Sequence, residues 1–144
     1  MKRVTSITLM TTLILAILSS ACSTAEDFAS GVMHGVEYSD EASDKYNEAV
    51  AFLHQGLHLK AIEAADETIK IAPDWAAPYY LRGEALNELK QFPKAQTSYD
   101  KAIELNEDNA YAYNARAMIL LDLGQIDLSE KDSAKACELD RSLC

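Results

Sequence analysis

Residues 76–109 read AAPYYLRGEALNELKQFPKAQTSYDKAIELNEDN, and this stretch of 34 residues decides the fold. Its pattern of small and large side chains returns in the next 34 residues and, more loosely, in the 34 before it. A fixed period of roughly 20–50 residues is the signature of a repeat protein, in which each unit buries its apolar face against its neighbours. The sequence therefore predicts three repeats, at residues 42–75, 76–109 and 110–143.

Two kinds of position recur at this spacing, one holding small residues and the other holding larger apolar residues. A small side chain lets a neighbouring backbone approach, and a large one fills the space beside it. The alternation predicts pairs of helices packed at close range. The small sets are Ala49/Gly83/Ala117, Ala61/Ala95/Ser129 and Thr68/Ala102/Ala136, and the large sets are Phe52/Leu86/Leu120, Ile69/Ile103/Cys137 and Ile71/Leu105/Leu139.

The middle repeat also carries an aromatic residue, a glycine and two alanines at set places, together with a second aromatic: Tyr79, Gly83, Ala95, Ala102 and Tyr99. This pattern resembles the tetratricopeptide repeat (TPR), a helix–turn–helix unit of the same length. The resemblance implies an all-α fold, a short α-solenoid of three helix–turn–helix repeats over residues 42–144. The family's closing proline is present as Pro73, but Glu107 and Arg141 replace it later, while Lys45 replaces the aromatic and Ala117 the glycine.

Turn residues divide each repeat into two predicted helices. The first helix is expected from about Ser43 to Gln55, before Gly56, because glycine readily ends a helix in the left-handed conformation. Its partner is expected to end before Pro73, which cannot continue a helix. The last helix is expected to end near Asp140, and the sequence shows no polar capping helix after it, although most solenoids have one.

The acidic composition excludes one class of partner. The chain has 23 acidic and 13 basic side chains and a formal net charge of −10. Binding to nucleic acid depends on clusters of Lys and Arg against phosphates, so we expect no nucleic-acid partner. The balance fits an acidic scaffold.

The N-terminal residues have the pattern of a targeting segment. Lys2 and Arg3 precede an apolar run, and Ser19-Ser20-Ala21-Cys22 resembles the lipobox of bacterial lipoproteins. The resemblance implies a signal peptide at residues 1–21, acyl chains such as palmitate on Cys22, and a flexible tether at residues 22–41. Ser23 after the cysteine favours the outer membrane, facing the periplasm. The alternative is an ordinary signal peptide with an incidental cysteine.

Candidates for catalysis and metal binding are few. His54 and His58 are four residues apart, a spacing that suits a metal site on a continuous helix, but Gly56 lies between them and predicts a turn. The sequence has no glycine-rich phosphate loop, no serine nucleophile elbow and no HExxH motif. We therefore expect neither enzyme activity nor a cofactor or metal.

Arg82 and Arg116 occupy equivalent places in two repeats, where the family often has leucine. A half-buried arginine needs a carboxylate, so both are predicted to be structural. Asp132 is the expected partner of Arg116, and Glu48 or Asp66 that of Arg82.

The first helix of each repeat lines the concave face in this family. The basic clamp with which some members hold a peptide carboxylate is absent, since its places carry Tyr46, Val50, Tyr80, Tyr111 and Ala115. An aromatic and apolar groove rimmed with acid favours capture of a peptide or helix, unless several of these side chains only pack between helices. The predicted partner-binding residues are Tyr46, Val50, Leu53, Tyr80, Glu84, Asn87, Tyr111, Asn114, Met118 and Leu121.

Together these features predict a non-catalytic lipoprotein adaptor that faces the periplasm and binds a protein or peptide partner in the cell envelope. Assembly of a pilus, a secretion system or the cell wall would use such an adaptor. The alternative is a structural protein that forms homo-oligomers through its uncapped C-terminal repeat.

Cys137 and Cys144 are a possible disulfide. If the last helix ran on through Cys144, seven residues of helix would place the two α-carbons about 10 Å apart, which is too far for a bond. If it ends near Asp140, the tail can fold back. A bond between two chains and two free thiols are the alternatives.

Overall fold

The computed structural model describes residues 38–144, so the signal peptide, Cys22 and most of the predicted tether lie outside the described part. Within that range the chain is α-helical and has no β-strand, which confirms the predicted all-α solenoid. The elements are α1 (Asp40–His54), α2 (His58–Ile71), α3 (Ala76–Glu88), α4 (Phe92–Leu105), α5 (Ala110–Asp122), α6 (Ile126–Leu139) and a terminal 3₁₀ turn (Arg141–Leu143).

The helices form three antiparallel pairs, α1 with α2, α3 with α4 and α5 with α6. We call the first helix of each pair the A helix and the second the B helix. Each turn between A and B contains one residue with positive φ. Gly56 (φ +71°) and Gly124 (φ +74°) adopt it as expected, whereas the equivalent place in the middle repeat holds Lys90 (φ 58°).

The first helix begins three residues earlier than predicted, inside the segment assigned to the tether. The side chain of Ser39 accepts a hydrogen bond from the backbone N–H of Ala42 at 3.2 Å, an N-cap that fixes the helix start. The ring of Tyr38 stacks on Trp75, with 4.5 Å between centroids and 14° between planes. Both contacts tie residues 38–41 to the domain.

Small residues let the helices pack closely, as their columns predict. The fully buried positions include an alanine in every helix that is described, and the aromatic rings fill the spaces beside them. The closest approach is at Gly83, which faces the ring of Tyr99, a side chain only 1% exposed. The core is therefore built from rings set against small residues.

Both arginines pair as the sequence suggested. Arg116 donates two hydrogen bonds to Asp132, at 2.6 and 2.8 Å, and a third to Asp100 at 2.8 Å. Arg82 pairs with Asp66, one of its two expected partners, at 2.8 Å. The Arg116 side chain is 20% exposed and that of Asp132 8% exposed, so this pair is held between helices.

The C-terminal tail folds back onto the last helix. Helix α6 ends at Leu139, and Asp140 accepts a hydrogen bond at 2.8 Å from the backbone N–H of Ser142, which starts the 3₁₀ turn. Cys137 and Cys144 form a disulfide across this turn, with 4.8 Å between their α-carbons.

Candidate functional site

The A helices form the inner side of the solenoid. Helix α1 contacts α3, and α3 contacts α5, whereas in the part of the chain that is described the B helices of successive repeats scarcely touch. Helices that approach one another more closely lie on the inside of a curve. The predicted partner-binding residues all lie on α1, α3 and α5, so the structure places them on this inner side.

Helix α5 carries the exposed part of this face. Tyr111 is 50% exposed, Met118 61% and Leu121 58%. They are separated by seven and three residues, which places them along one side of a helix. Asn114 lies in the same stretch and is half-buried. We call Tyr111, Met118 and Leu121 the α5 stripe.

Helix α1 contributes little free surface. Tyr46 is only 8% exposed, because its ring packs against Trp75 with 4.6 Å between centroids. Val50 and Leu53 are half-buried against the same core cluster, which includes Leu81 of the next repeat. These three residues follow the alternative recognised in the sequence, namely packing within and between repeats.

The centre of the face is an acidic and aromatic cluster on α3. The hydroxyl of Tyr80 donates a hydrogen bond to Glu84 Oε1 at 3.0 Å, and its ring lies 5.7 Å from that of Tyr99. Glu84 and Asn87 are half-buried. His54 and Glu88 lie close enough to act on the charge of Glu84.

Burial dominates the electrostatics of this cluster. Loss of water raises the pKa of the Glu84 carboxyl above its usual value, although the Tyr80 hydroxyl stabilises the charged form. Burial, with the negative charge of Glu84, also raises the pKa of Tyr80 and brings that of Tyr46 to about 12. A carboxylate among aromatic rings is a favourable surrounding for a cation.

This raised pKa predicts a pH-dependent effect of Glu84→Gln on stability. Below the ordinary value of 4.5 the carboxyl is neutral in both folded and unfolded chains, so it costs nothing. As the pH rises through the raised folded pKa, the folded state loses stability relative to the unfolded state. The variant should therefore unfold at higher urea concentration than wild type at pH 7, and this advantage should shrink towards pH 4.

The control removes the hydroxyl that supports the charge. In a Tyr80→Phe background, the advantage of Glu84→Gln at pH 7 should grow, because the carboxylate has lost its donor. Equal stability of Glu84→Gln and wild type at both pH values would show that burial does not penalise this carboxylate.

Sequence reasoning missed two residues that support the face, Trp75 and Tyr38. Trp75 is 2% exposed and contacts the rings of both Tyr38 and Tyr46. The available signal was the single tryptophan of the chain, which lies at the junction of two repeats.

The remaining chemistry is limited. Residues 38–144 contain no group of three or more His, Cys, Asp or Glu side chains suited to a metal ion. His54 ends α1 and His58 begins α2, so the turn separates them. A search of the same residues for a helix long and apolar enough to cross a membrane finds none.

Family models match the second half of the chain. One described as "TPR repeat" matches residues 83–124, and one described as "Tetratricopeptide repeat" matches residues 110–143. Both coincide with the observed helix pairs. The chain carries tetratricopeptide repeats.

Known proteins similar to this TPR domain bring in peptide-binding modules. The human mitochondrial import receptor subunit TOM70 is 37% identical over 81 residues, which are 56% of this chain and 13% of the receptor. The chain thus spans about an eighth of that relative's length.

Two solved structures share the fold. One is the TPR2B domain of yeast Sti1 in a pHsp70 complex, with a TM-score of 0.69 and 27% identity, over 72% of this chain and 83% of the other. The second TPR of Spaghetti (RPAP3), bound to the HSP90 peptide SRMEEVD, has a TM-score of 0.69 and 20% identity, over 70% and 94%. The similarity to TPR modules in complex with peptides supports a protein-binding adaptor.

Proposed function

We propose that the TPR domain is a non-catalytic adaptor that binds a protein or peptide partner along its inner face. The observation that carries this proposal is the α5 stripe, three large apolar side chains that are each at least 50% exposed on one side of an inner helix. The chain is otherwise strongly acidic, with a net charge of −10. An exposed apolar line within such a surface marks an interaction site.

The partner's chemistry follows from the neighbouring cluster. Glu84 lies half-buried beside Tyr80, so it would favour a basic side chain that replaces its lost water. The stripe would favour apolar side chains. We therefore propose a peptide or helix that presents apolar and basic residues. An acidic peptide such as SRMEEVD, which the Spaghetti (RPAP3) domain binds, would find no basic clamp on this face.

Tyr111→Ala and Met118→Ala should weaken partner capture while changing the melting temperature little. Both side chains are largely exposed, so they contribute little to the core. Loss of an aromatic anchor at an interface costs about 2 kcal/mol or more. The measurement is affinity capture from detergent-solubilised envelopes of the source cells, quantified by mass spectrometry.

Leu59→Ala is the matched control, because Leu59 is 71% exposed but lies on the B helix α2. Its capture should equal that of wild type. A stripe variant that retains its fold and captures the same proteins in the same amounts would exclude the inner face as the binding surface.

We also propose that lipid on Cys22 holds the adaptor at the outer membrane, facing the periplasm, where it serves an envelope assembly such as a pilus, a secretion system or the cell wall. The lipobox-like Ser19-Ser20-Ala21-Cys22 supports this part of the proposal. The acyl chains would supply the membrane affinity, since several chains together anchor a protein stably.

Cys22→Ser should abolish acyl labelling and leave the signal peptide unprocessed by the lipoprotein pathway. Growth with an alkyne-tagged palmitate followed by gel fluorescence measures the label. Wild-type protein that carries no label and is released as a soluble periplasmic species would contradict lipidation.

A second candidate function is structural self-association through the C-terminal repeat. Met118 and Leu121 are equivalent to Val50 and Leu53, which pack half-buried against the core shared with the next repeat. In the last repeat the same positions are 61% and 58% exposed. Size-exclusion chromatography with light scattering separates the two functions, since a concentration-dependent dimer that Leu121→Glu disrupts would favour self-association.

A further inference from the structure

An open pocket of about 500 Å³ lies away from the inner face, between the B helices α2 and α4. It exists because these helices scarcely touch, so that side chains of α3 form part of its lining. One part of the wall is apolar, formed by Leu59, Ile62 and Leu86, and another is charged, formed by Asp66, Arg82 and Lys94. We call it the Arg82 pocket.

The two arginines of the solenoid differ in one partner, and the repeat provides the comparison. Both guanidinium groups lie over a tyrosine ring, Arg82 over Tyr79 and Arg116 over Tyr113, at 5.4 and 5.6 Å. Both also pair with an aspartate sixteen residues earlier, at 2.8 Å. The arrangements therefore match on one side.

On the other side they diverge. Sixteen residues after Arg116, Asp132 accepts two hydrogen bonds from the guanidinium. Sixteen residues after Arg82 the chain has Ser98, whose hydroxyl accepts one hydrogen bond from Nε at 3.0 Å. Within residues 38–144 Arg82 thus has one carboxylate where Arg116 has two.

The pocket consequently carries a positive charge in an acidic protein. Arg82 and Lys94 contribute two positive charges and Asp66 one negative charge. Lys94 is exposed and its Nζ donates to the side chain of Gln91 at 2.9 Å, a neutral partner. The Arg82 side chain is 24% exposed, so a ligand in the pocket can reach it.

We propose that the Arg82 pocket binds an aliphatic carboxylate, an acid whose apolar group lies within a few bonds of the carboxyl. The carboxylate takes the place that Asp132 occupies beside Arg116, since a guanidinium binds carboxylate oxygens with paired N–H donors. The apolar group contacts Leu59, Ile62 and Leu86. A leucine at the free C-terminus of a protein and a short branched fatty acid both have this chemistry.

The test uses the full-length protein and three small probes followed by NMR. N-acetylleucine represents a C-terminal leucine, N-acetylleucinamide is its neutral counterpart, and 4-methylpentanoate represents a free acid. The two acids should shift the Arg82 Nε–H and the methyl signals of Leu59 and Ile62, and the amide should bind about tenfold more weakly or not at all. The stronger acid identifies which source the pocket prefers.

Substitution at Ser98 tests the missing carboxylate directly. Ser98→Asp rebuilds the arrangement seen at Arg116 and should weaken binding of the acids about tenfold or more. Ser98→Asn has the same size without the charge and should retain binding, which separates the charge from any change in packing. Lys94→Gln alters only an exposed residue and should weaken binding without affecting the fold.

Three results would overturn the proposal. Equal affinity for N-acetylleucine and its amide would mean that the pocket recognises only the apolar group. Undiminished binding to a folded Ser98→Asp protein would place the carboxylate elsewhere. Shifts confined to the methyl groups of Met118 and Leu121 would assign the probes to the inner face instead.

Discussion

Replacing Gly83 with alanine should destabilise the TPR domain by about 1–3 kcal/mol, the usual cost of overpacking a core. A Cβ atom at this position would lie 2.6 Å from Cε1 and 2.8 Å from Cδ1 of Tyr99. The ring is 1% exposed and packs in the cluster that contains Leu86 and Ile119, so it has little room to move. In an exposed helix, the same change would stabilise by roughly 0.5–1 kcal/mol.

The other repeats provide the control, because the contact depends on a pair of positions. Gly83 and Tyr99 correspond to Ala117 and Ser133 in the third repeat and to Ala49 and Ala65 in the first, so alanine is present where the ring is absent. Ala117→Gly should cost only about 0.5–1 kcal/mol, through helix propensity. In a double-mutant cycle with Tyr99→Ala, the cost of Gly83→Ala should disappear. A Gly83→Ala protein as stable as wild type in urea would show that this approach is not close.

Trp75→Ala should cost about 3–5 kcal/mol of unfolding free energy, the range for truncation of a buried aromatic side chain. The indole is 2% exposed and contacts Tyr38 and Tyr46, with centroid distances of 4.5 and 4.6 Å. Its removal leaves a cavity between the first two repeats and frees the segment that leads into α1. Chemical denaturation followed by circular dichroism gives the value.

Trp75→Phe is the matched control and should cost far less. The indole Nε1 is buried without a hydrogen-bond partner, so phenylalanine loses volume but no hydrogen bond. It can also preserve the stack on Tyr38. If Trp75→Phe were as destabilising as Trp75→Ala, the polar edge of the indole would have to make a contact that matters more than its packing.

The repeat and its helices could be predicted because they depend on local rules. A small residue at Gly83 or Ala102 and a large one at Leu86 recur every 34 residues, and such a period has few structural explanations. The A–B turns followed from glycine at Gly56 and Gly124. Lys90 adopts the same positive φ without a glycine, so only the phase of the repeat identified that turn.

The inner face was harder to predict, because the use of an aromatic ring depends on its neighbours in space. Tyr46 and Tyr111 are both tyrosines on A helices, yet one is 8% exposed and the other 50%. Trp75 covers the first, and no described residue gives the second similar cover. Periodicity assigns a residue to a helix face, but it does not show which faces meet a ring from the adjoining repeat.

The Arg82 pocket shows the same limit from the opposite direction. The partners of both arginines could be proposed from their spacing, and Asp66 and Asp132 were among them. The difference between Ser98 and Asp132 was present in the sequence too. Its meaning required the structure, because only the gap between α2 and α4 makes the guanidinium accessible.

The fold-back of the C-terminal tail has a consequence for amide hydrogen exchange. Helices α2 and α4 each pack against the A helices on both sides, whereas α6 packs on α5 and on the terminal turn. A solenoid whose units contact only their neighbours opens most readily at its ends. The bond between Cys137 and Cys144 closes a short loop at that end and limits the conformations of the opened chain. Reduction should therefore accelerate exchange of the amides of α6 while those of α3 keep their protection, so that the oxidation state of one bond sets how often the last helix opens.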